Sequence, residues 1–280
     1  MALSILTNVA SLNAQRNLSS TQSALSASIG RLSSGMRINS AADDAAGLGI
    51  SENLKADLRS LAQAQRNAND GVSMSQVAEG SMNEMSGIVT RMRELAVQSA
   101  NQTLGATERG YIQTEFSQLR NEINRISAVT EFNGQKLIDG SASAGLSFQV
   151  GKENSVNDRV SMSITRLTTS TLGSTSLRVA SASLSTVTGA RNAMGVFDKA
   201  IEQLSTARSK VGAAQNRMVV TISNLSVAQE NLAAANSRIR DVDVASESSQ
   251  LTKAQILSQA GLAVLAQANQ LPNSALSLLR

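Results

Sequence analysis

The 280-residue chain has no cysteine, no histidine and no tryptophan, and only one proline, one tyrosine and four phenylalanines. Without cysteine there is no disulfide framework, no thiolate metal site and no cysteine nucleophile. Without histidine the commonest general base and the commonest neutral metal ligand are missing. An enzyme is therefore not expected, and neither a cofactor nor a bound metal is called for. Proline occurs only at position 272, so long helices meet almost no obligatory breaker. No apolar run of about 18 residues is present, so a membrane-spanning helix is not expected. Arg16 is the first charged residue, and Met1-Ala2-Leu3-Ser4 carries no basic segment, which speaks against a cleaved secretory signal but not against export that leaves no cleavage signature. The 25 basic and 21 acidic residues give a net charge of +4. They are dispersed and not interleaved with aromatics, so neither nucleic acid nor membrane is expected as a partner.

What is present is apolar and aliphatic. Apolar residues make up 41% of the chain and aromatics only 2%. Tyr111, Phe116, Phe132, Phe148 and Phe197 all lie in the middle, so the two ends have only Ala, Leu, Ile, Val and Met to bury. Small and γ-branched side chains of this kind suit helix-on-helix packing.

The first 40 residues carry a helical stripe in two phases, Ile5, Val9 and Leu12, then Leu18, Leu25, Ile29, Leu32 and Met36. A Gly/Ser/Asn patch from Ser33 to Ser40 marks a break, with Ser40 as the expected N-cap of the next helix and Asp43 and Asp44 in its first turn. That helix runs from about 41 to 100, on Leu54, Leu58 and Leu61 and then Met85, Ile88, Met92 and Leu95. Its interior glycines (Gly71, Gly80, Gly87) each cost about 1 kcal/mol relative to alanine. Ile112, Phe116, Leu119, Ile123 and Ile126 define another amphipathic helix. After Val129 the period changes. Asn133-Gly134 and Asp139-Gly140 are turn signals, and the alternations Leu146/Phe148/Val150 and Val160/Met162/Ile164 predict a small β-hairpin near 146–164. The Ser/Thr-rich stretch 165–190 is expected to be a surface connector.

The clearest periodicity follows. Phe197, Leu204, Val211, Met218, Leu225, Leu232 and Ile239 stand seven apart, and Ala200, Ala207, Ala214, Thr221, Ala228, Ala235 and Val242 come three residues after each. This heptad seam, with small residues in one layer, allows close helix approach and spans about 65–70 Å at 1.5 Å per residue. It needs a partner of equal length, and the 41–100 helix supplies one. A last helix, from about 248 to 271, is apolar over more than half its circumference, with a narrow opposite strip of Gln255, Gln259, Gln267 and Gln270. Only Lys253 and Arg280 are charged after Glu247. Neither chain end can fill a core alone, and even as a pair they leave apolar surface exposed, which marks an interaction site. Another copy of the chain is the expected partner. The fold class is mainly α: a long antiparallel helical bundle or coiled coil with a small β-hairpin, plus a domain of paired terminal helices.

The motifs carry a resemblance. Ile29-Gly30-Arg31-Leu32-Ser33-Ser34-Gly35-Met36-Arg37-Ile38-Asn39-Ser40 is followed by Ala41-Ala42-Asp43-Asp44-Ala45-Ala46-Gly47. Further along come Asn67-Ala68-Asn69-Asp70-Gly71, Arg91-Met92-Arg93-Glu94-Leu95-Ala96-Val97-Gln98, Glu131-Phe132-Asn133-Gly134, Gly212-Ala213-Ala214-Gln215-Asn216-Arg217 and Ser237-Arg238-Ile239-Arg240-Asp241-Val242-Asp243. The chain closes on Ala268-Asn269-Gln270-Leu271-Pro272 and Leu276-Ser277-Leu278-Leu279. In order and register these resemble the bacterial flagellins, in a short form without the variable outer domains. The resemblance implies an inner terminal-helix assembly domain, residues 1–42 with 241–280, lining a central channel, and an outer helical rod, 43–240. It implies a structural subunit of the flagellar filament, exported unfolded by a type III route and polymerised outside the cell with copies of itself. Leu18, Leu25, Ile29, Leu32, Leu257 and Leu265 are the expected assembly residues, and the four glutamines are candidates to face the channel. An export chaperone and cap and junction proteins are implied as partners. So is a vertebrate Toll-like receptor, with Arg91, Leu95 and Glu115 at the family's contact positions. The competing readings are a hook–filament junction protein, or another coiled-coil fibre protein.

Overall fold

A computed structural model of the chain describes residues 7–174 and 177–277. Ile5, Leu278 and Leu279, which belong to the stripes and motifs above, lie outside the described residues. Five α-helices occur among those described: α1 (Val9–Ser34), α2 (Ala45–Ser99), α3 (Ala106–Val129), α4 (Val187–Arg240) and α5 (Val244–Ser277). Between α3 and α4 lie two antiparallel ribbons, β1 (Glu131–Phe132) with β2 (Gln135–Lys136), and β3 (Leu146–Gln149) with β4 (Arg159–Met162). The chain divides into two compact units, one made of both ends (through Ala56 and from Glu230), the other of Asp57–Gln229. The division falls inside α2 and α4, not at the turns near 42 and 241.

The Asp57–Gln229 unit is built on the α2–α4 seam. On α2, Leu61, Ala64, Ala68, Gly71, Ser75, Ala78, Met82 and Met85 are buried in alternating steps of three and four. On α4, Phe197, Ala200, Leu204, Ala207, Val211, Ala214, Met218 and Leu225 answer them. The helices are antiparallel: Gln65 bonds Ser226 and Gln229, Glu79 pairs with Arg208, and Arg93 pairs with Asp198. Gly71 is part of the seam, not an interruption. A Cβ there would lie 2.5 Å from the Met218 sulfur and 3.2 Å from the Phe148 ring, so glycine's missing side chain is what lets these groups approach. Gly80 and Gly87 face open space. Despite its five glycines, Gly47 and Gly49 in the first turns and Gly71, Gly80 and Gly87 further in, α2 is continuous over 55 residues, because tertiary burial outweighs their propensity cost.

Helix α3 packs on this pair through Ile112, Phe116 and Ile123, and the Phe116 and Phe197 rings meet at 5.7 Å between centroids, tilted by 54°. The hairpin appears where alternation predicted it, with Leu146 opposite Met162 and Phe148 opposite Val160. The shorter β1–β2 ribbon turns on Asn133 (φ 50°) and Gly134 (φ 77°), two left-handed residues as a tight hairpin turn requires.

The Ser/Thr-rich stretch differs from the surface connector expected for it. Leu167, Leu172, Val179 and Leu184 are at most 2% exposed and belong to the core. Its backbone is held by amide side chains: Asn124 accepts from the Thr169 N–H and hydroxyl, Gln113 accepts from the Leu184 N–H at 2.6 Å, and Gln203 both donates to and accepts from Gly173 at 2.9 Å. A segment without regular structure can be buried when side chains satisfy its peptide groups. The hydroxyl-rich composition hid the widely spaced leucines that anchor it.

Candidate assembly surfaces

The unit made of both chain ends is organised around two neighbouring turns, 35–44 and 241–243. Gly35 ends α1 in the left-handed conformation (φ 70°), and its carbonyl accepts from the Val242 N–H at 3.0 Å. The Arg37 N–H donates to the Arg240 carbonyl at 2.6 Å, and the Arg37 guanidinium donates to the Ile239 carbonyl at 2.9 Å. Arg240 in turn reaches Glu52 at 2.6 Å and the Met36 sulfur at 3.0 Å. Ser51, fully buried, donates to Asn236 at 2.8 Å. These bonds bring together two motifs some two hundred residues apart in the sequence. They also explain why the compact unit extends past residue 42 to Ala56, and before 241 to Glu230.

Ser40 is not the cap of α2. Its N–H and hydroxyl donate to the Asp43 carboxylate, which also receives the Asn39 N–H. The cap is Asp44, whose Oδ1 accepts from the Gly47 N–H at 2.8 Å. Gly47 is required here, since a Cβ would lie 2.4 Å from the Asp44 carboxylate and 2.8 Å from the buried Ile38. Bonds from the Ser40 backbone and hydroxyl, then from the Asn39 backbone, with Arg31 nearby, hold the Asp43 carboxyl below the usual aspartate value. A carboxylate with a lowered folded pKa stabilises the fold fully above the unfolded value, near 4, and that contribution is lost as pH falls through the folded pKa. Asp43→Asn is therefore expected to lower the stability of this unit at pH 7 and to flatten its loss as pH falls below about 4. Hydrogen exchange at residues 39–47 across that range checks this, and an unchanged acid profile would count against it.

Arg31 lies between two acids, 3.7 Å from Asp43 and 3.9 Å from Glu247. Glu247 is 5% exposed, and its Oε1 has no hydrogen-bond partner. At the start of α5 the Asp243 carboxylate caps the helix by accepting from the Ala245 and Ser246 N–H groups. The helix therefore starts four residues before the expected 248, and it continues past 271 to Ser277.

Helices α1 and α5 pair antiparallel, with backbones within 8 Å of each other. Asn8 donates to the Ala268 carbonyl at 2.7 Å and Ser11 to Asn269 at 2.8 Å, while Leu18 lies 3.3 Å from where a Gly261 Cβ would stand. The less exposed positions step by three and four on both helices: Ser11, Ala14, Leu18, Thr21, Leu25, Ser28 and Leu32 on α1, and Leu251, Ala254, Ser258, Gly261, Leu265 and Ala268 on α5. Eight of these thirteen seam residues are small or hydroxylated, which allows the close approach and limits the apolar area the pair buries by itself.

Of the expected assembly residues, Leu18, Leu25, Leu32 and Leu265 lie half-buried on this seam. Ile29 and Leu257 point away from it, about half exposed. With them Val9, Leu12, Ile256, Leu262 and Val264 leave a broad apolar surface open to solvent. Gln255, Gln259, Gln267 and Gln270 are all exposed, on the side of α5 turned away from α1.

In the other unit, Arg91 on α2 and Glu115 on α3 form a surface ion pair at 2.9 Å, with Glu94 also 3.0 Å from Arg91. The Glu94 and Glu115 carboxylates raise the Arg91 guanidinium above its ordinary value. Leu95 does not join this surface. It is 1% exposed and sits in the core beneath. Its place follows from the three-four spacing of α2, which puts the position after Met92 inward.

Residues 5–143 match the bacterial flagellin N-terminal helical region, and residues 194–279 match the bacterial flagellin C-terminal helical region. A flagellin of Halalkalibacterium halodurans is 43% identical over 273 residues, covering 98% of each chain. The flagellar filament 33 kDa core protein of Treponema phagedenis is 42% identical over 283 residues, again covering 98% of each. The structure of a putative flagellar hook-associated protein from Vibrio parahaemolyticus aligns with a TM-score of 0.60, covering 71% of this chain and all of that one; at 16% identity it shares the fold alone. With both helical regions matched and full-length relatives above 40% identity, the chain belongs to the bacterial flagellin family.

Proposed function

We infer that the chain is a structural subunit of the bacterial flagellar filament and assembles by burying, against other copies, the apolar surface that the α1–α5 pair leaves open. The family is a structural one, and its filament lies outside the cell. No helix among the described residues is long and apolar enough to cross a membrane. One observation carries the reading: the terminal pair spends small residues on its own seam and keeps Ile29, Ile256, Leu257, Leu262 and Val264 outside it. Burial of such side chains stabilises by about 1.5–3 kcal/mol each, available only when copies meet.

Leu257→Asp with Val264→Asp tests this at positions that the monomer does not bury. Growth onto filament seeds is expected to require at least tenfold more protein, with helical content unchanged. Parent-like growth would overturn the reading.

The glutamine strip is assigned to the channel of the polymer. Four exposed amides and the sparse charge of α5 support it, since a neutral polar lining offers an unfolded chain in transit no strong site to bind. Export chaperone, cap and junction partners are proposed on the family resemblance. A vertebrate Toll-like receptor is proposed to meet the exposed Arg91–Glu115 pair, where an arginine held in place by two carboxylates suits an interface anchor. Leu95 would support that surface from below without contacting the receptor.

A further inference from the structure

We propose that the cavity between α2 and the two ribbons binds a small organic ammonium cation, with the Asp70 carboxylate as its counter-ion and Phe132 and Phe148 against its apolar body. The site lies wholly within the Asp57–Gln229 unit and does not depend on the filament reading.

The cavity measures 420 Å³, inside the usual range for small-molecule sites of about 300–1,000 Å³. Three elements build it. Asn67, Asp70 and Met74 come from one face of α2, at the i, i+3, i+7 spacing of a helix. Phe132, Asn133 and Gln135 come from the β1–β2 ribbon, and Ser147, Phe148 and Gln149 from β3. The walls are tied together without help from a ligand. The Asn67 amide donates to the Gln149 carbonyl at 3.0 Å and accepts from Gln63 at 2.9 Å, while the Gln149 amide donates to the Gly151 and Glu153 carbonyls. A site already held in shape loses little freedom when it is filled.

Two of the four phenylalanines line this cavity. The other two, Phe116 and Phe197, are fully buried. Phe132 and Phe148 pack against the core yet stop half-buried at the cavity edge. The missing Cβ of Gly71 lets the Phe148 ring come close to α2, and Met74, 7% exposed, adds its thioether beside them. Aromatic rings left partly open in this way attract a cation through their faces and cover its alkyl or aryl body.

The charge of the lining sets the sign of the ligand. Asp70 is the only charged residue in it. Among the described residues its carboxylate has neither a hydrogen bond nor an ion pair. The bases that the sequence and the ribbons bring near are engaged elsewhere: Arg66, one turn earlier on α2, donates to Gln63 at 2.6 Å, Lys136 pairs with Glu131 at 2.5 Å and Lys152 with Asp57 at 2.8 Å. The side chains of Asn133, Gln135 and Ser147 also have no partner among the described residues, so their oxygens remain to accept from an ammonium N–H. A neutral ligand would cover Asp70 and strip water from it without supplying a counter-charge, which is costly, and an anion would be repelled.

Amide NMR of the unpolymerised full chain tests the site, with 2-phenylethylammonium as the probe and 2-phenylethanol as its neutral counterpart. The ammonium is expected to give saturable shifts at residues 67–74, 132–135 and 147–149, and to bind about tenfold more tightly than the alcohol, the size of one added charge contact. Asp70→Asn should abolish that preference, leaving both probes equally weak, while Phe132→Leu should weaken the ammonium and the alcohol together. Thermal melts check that the variants fold, and Asp70→Ser takes the place of Asp70→Asn if the latter shifts the melt. Absence of saturable shifts at these residues, equal binding of ammonium and alcohol by the parent, or a preference that survives at residue 70 without its carboxylate overturns the proposal. So does methyl glucoside binding as tightly as the ammonium, which would make this a site for neutral sugars.

Discussion

A chain ending at Glu247 is expected to lose growth onto filament seeds altogether, with no polymer at a hundred times the concentration the parent needs. The same chain should keep the cooperative melt of its Asp57–Gln229 unit. Removing 248–280 takes away nearly all of α5, including the seam residues Leu251, Ala254, Gly261 and Leu265. Helix α1 then has Leu18, Leu25 and Leu32 with nothing to pack against. At 26 residues and without tertiary burial it becomes a marginal helix in water. Half of the exposed apolar surface disappears with α5, and the rest loses the scaffold that presents it. The other unit has its own core, from Met82 and Met85 on α2 to Phe197 and Leu204 on α4, and needs nothing from 248–280 to bury it. Sedimentation measures the lost polymer, and hydrogen exchange separates the two units. A coiled-coil fibre that associated through 197–239 would still assemble after this truncation, so persistent polymer would point to that alternative.

The long seam was legible because burial repeats the pattern written in the residues. Seven-residue spacing from Phe197 to Leu225 required no knowledge of the partner, and each of those five positions is buried. The hairpin was legible because strict alternation over Leu146–Val150 and Val160–Ile164 has no helical reading. What stayed hidden was hidden for physical reasons. Gly71 looked like an interruption, since propensity scores a glycine against the helix; only the positions of Met218 and Phe148 show that it is a contact. Asp44 and Ser40 are both good capping residues, and the choice between them depends on where Asp43 turns the loop, which three-dimensional bonds decide. The Ser/Thr-rich stretch has no period at all, so its four buried anchors, Leu167, Leu172, Val179 and Leu184, could not be separated from surface residues by pattern. Leu95 was placed by motif on a surface, but the three-four rhythm of its own helix turns it inward. For the assembly surfaces the sequence offered composition and periodicity. Which of Leu18, Ile29, Leu257 and Leu265 lies on the intramolecular seam, and which is left for other copies, is a matter of how two small-residue faces meet, and glycine and serine carry that information poorly.

Phe197→Ala is expected to destabilise the Asp57–Gln229 unit by about 3–5 kcal/mol, the range for removing a large aromatic from a closed core. The ring is fully buried and faces Phe116 at 5.7 Å. It also begins the α4 seam, where Ala193, Val196 and Ala200 are too small to fill the space it would leave. With only four phenylalanines in the chain, and two of them forming this contact, no other aromatic can move in. The cost therefore includes both lost transfer energy and a cavity that the helices, held apart by their other layers, collapse only in part. Phe116→Ala should cost about the same, and the double variant should cost less than the sum by about 0.5–1.5 kcal/mol, the value of the ring pair itself. Tyr111→Ala, at a residue 72% exposed on the same α3 helix, should change stability by no more than about 0.5 kcal/mol. Urea unfolding of the monomers measures all four. A cost below 1 kcal/mol at Phe197, or strictly additive effects of the two phenylalanines, would mean that the α3–α4 contact is not the closed layer these distances describe. Because neither ring lies on the terminal pair, both single variants should still add to seeds wherever they remain folded, which separates the stability of the unit from the contacts that build the polymer.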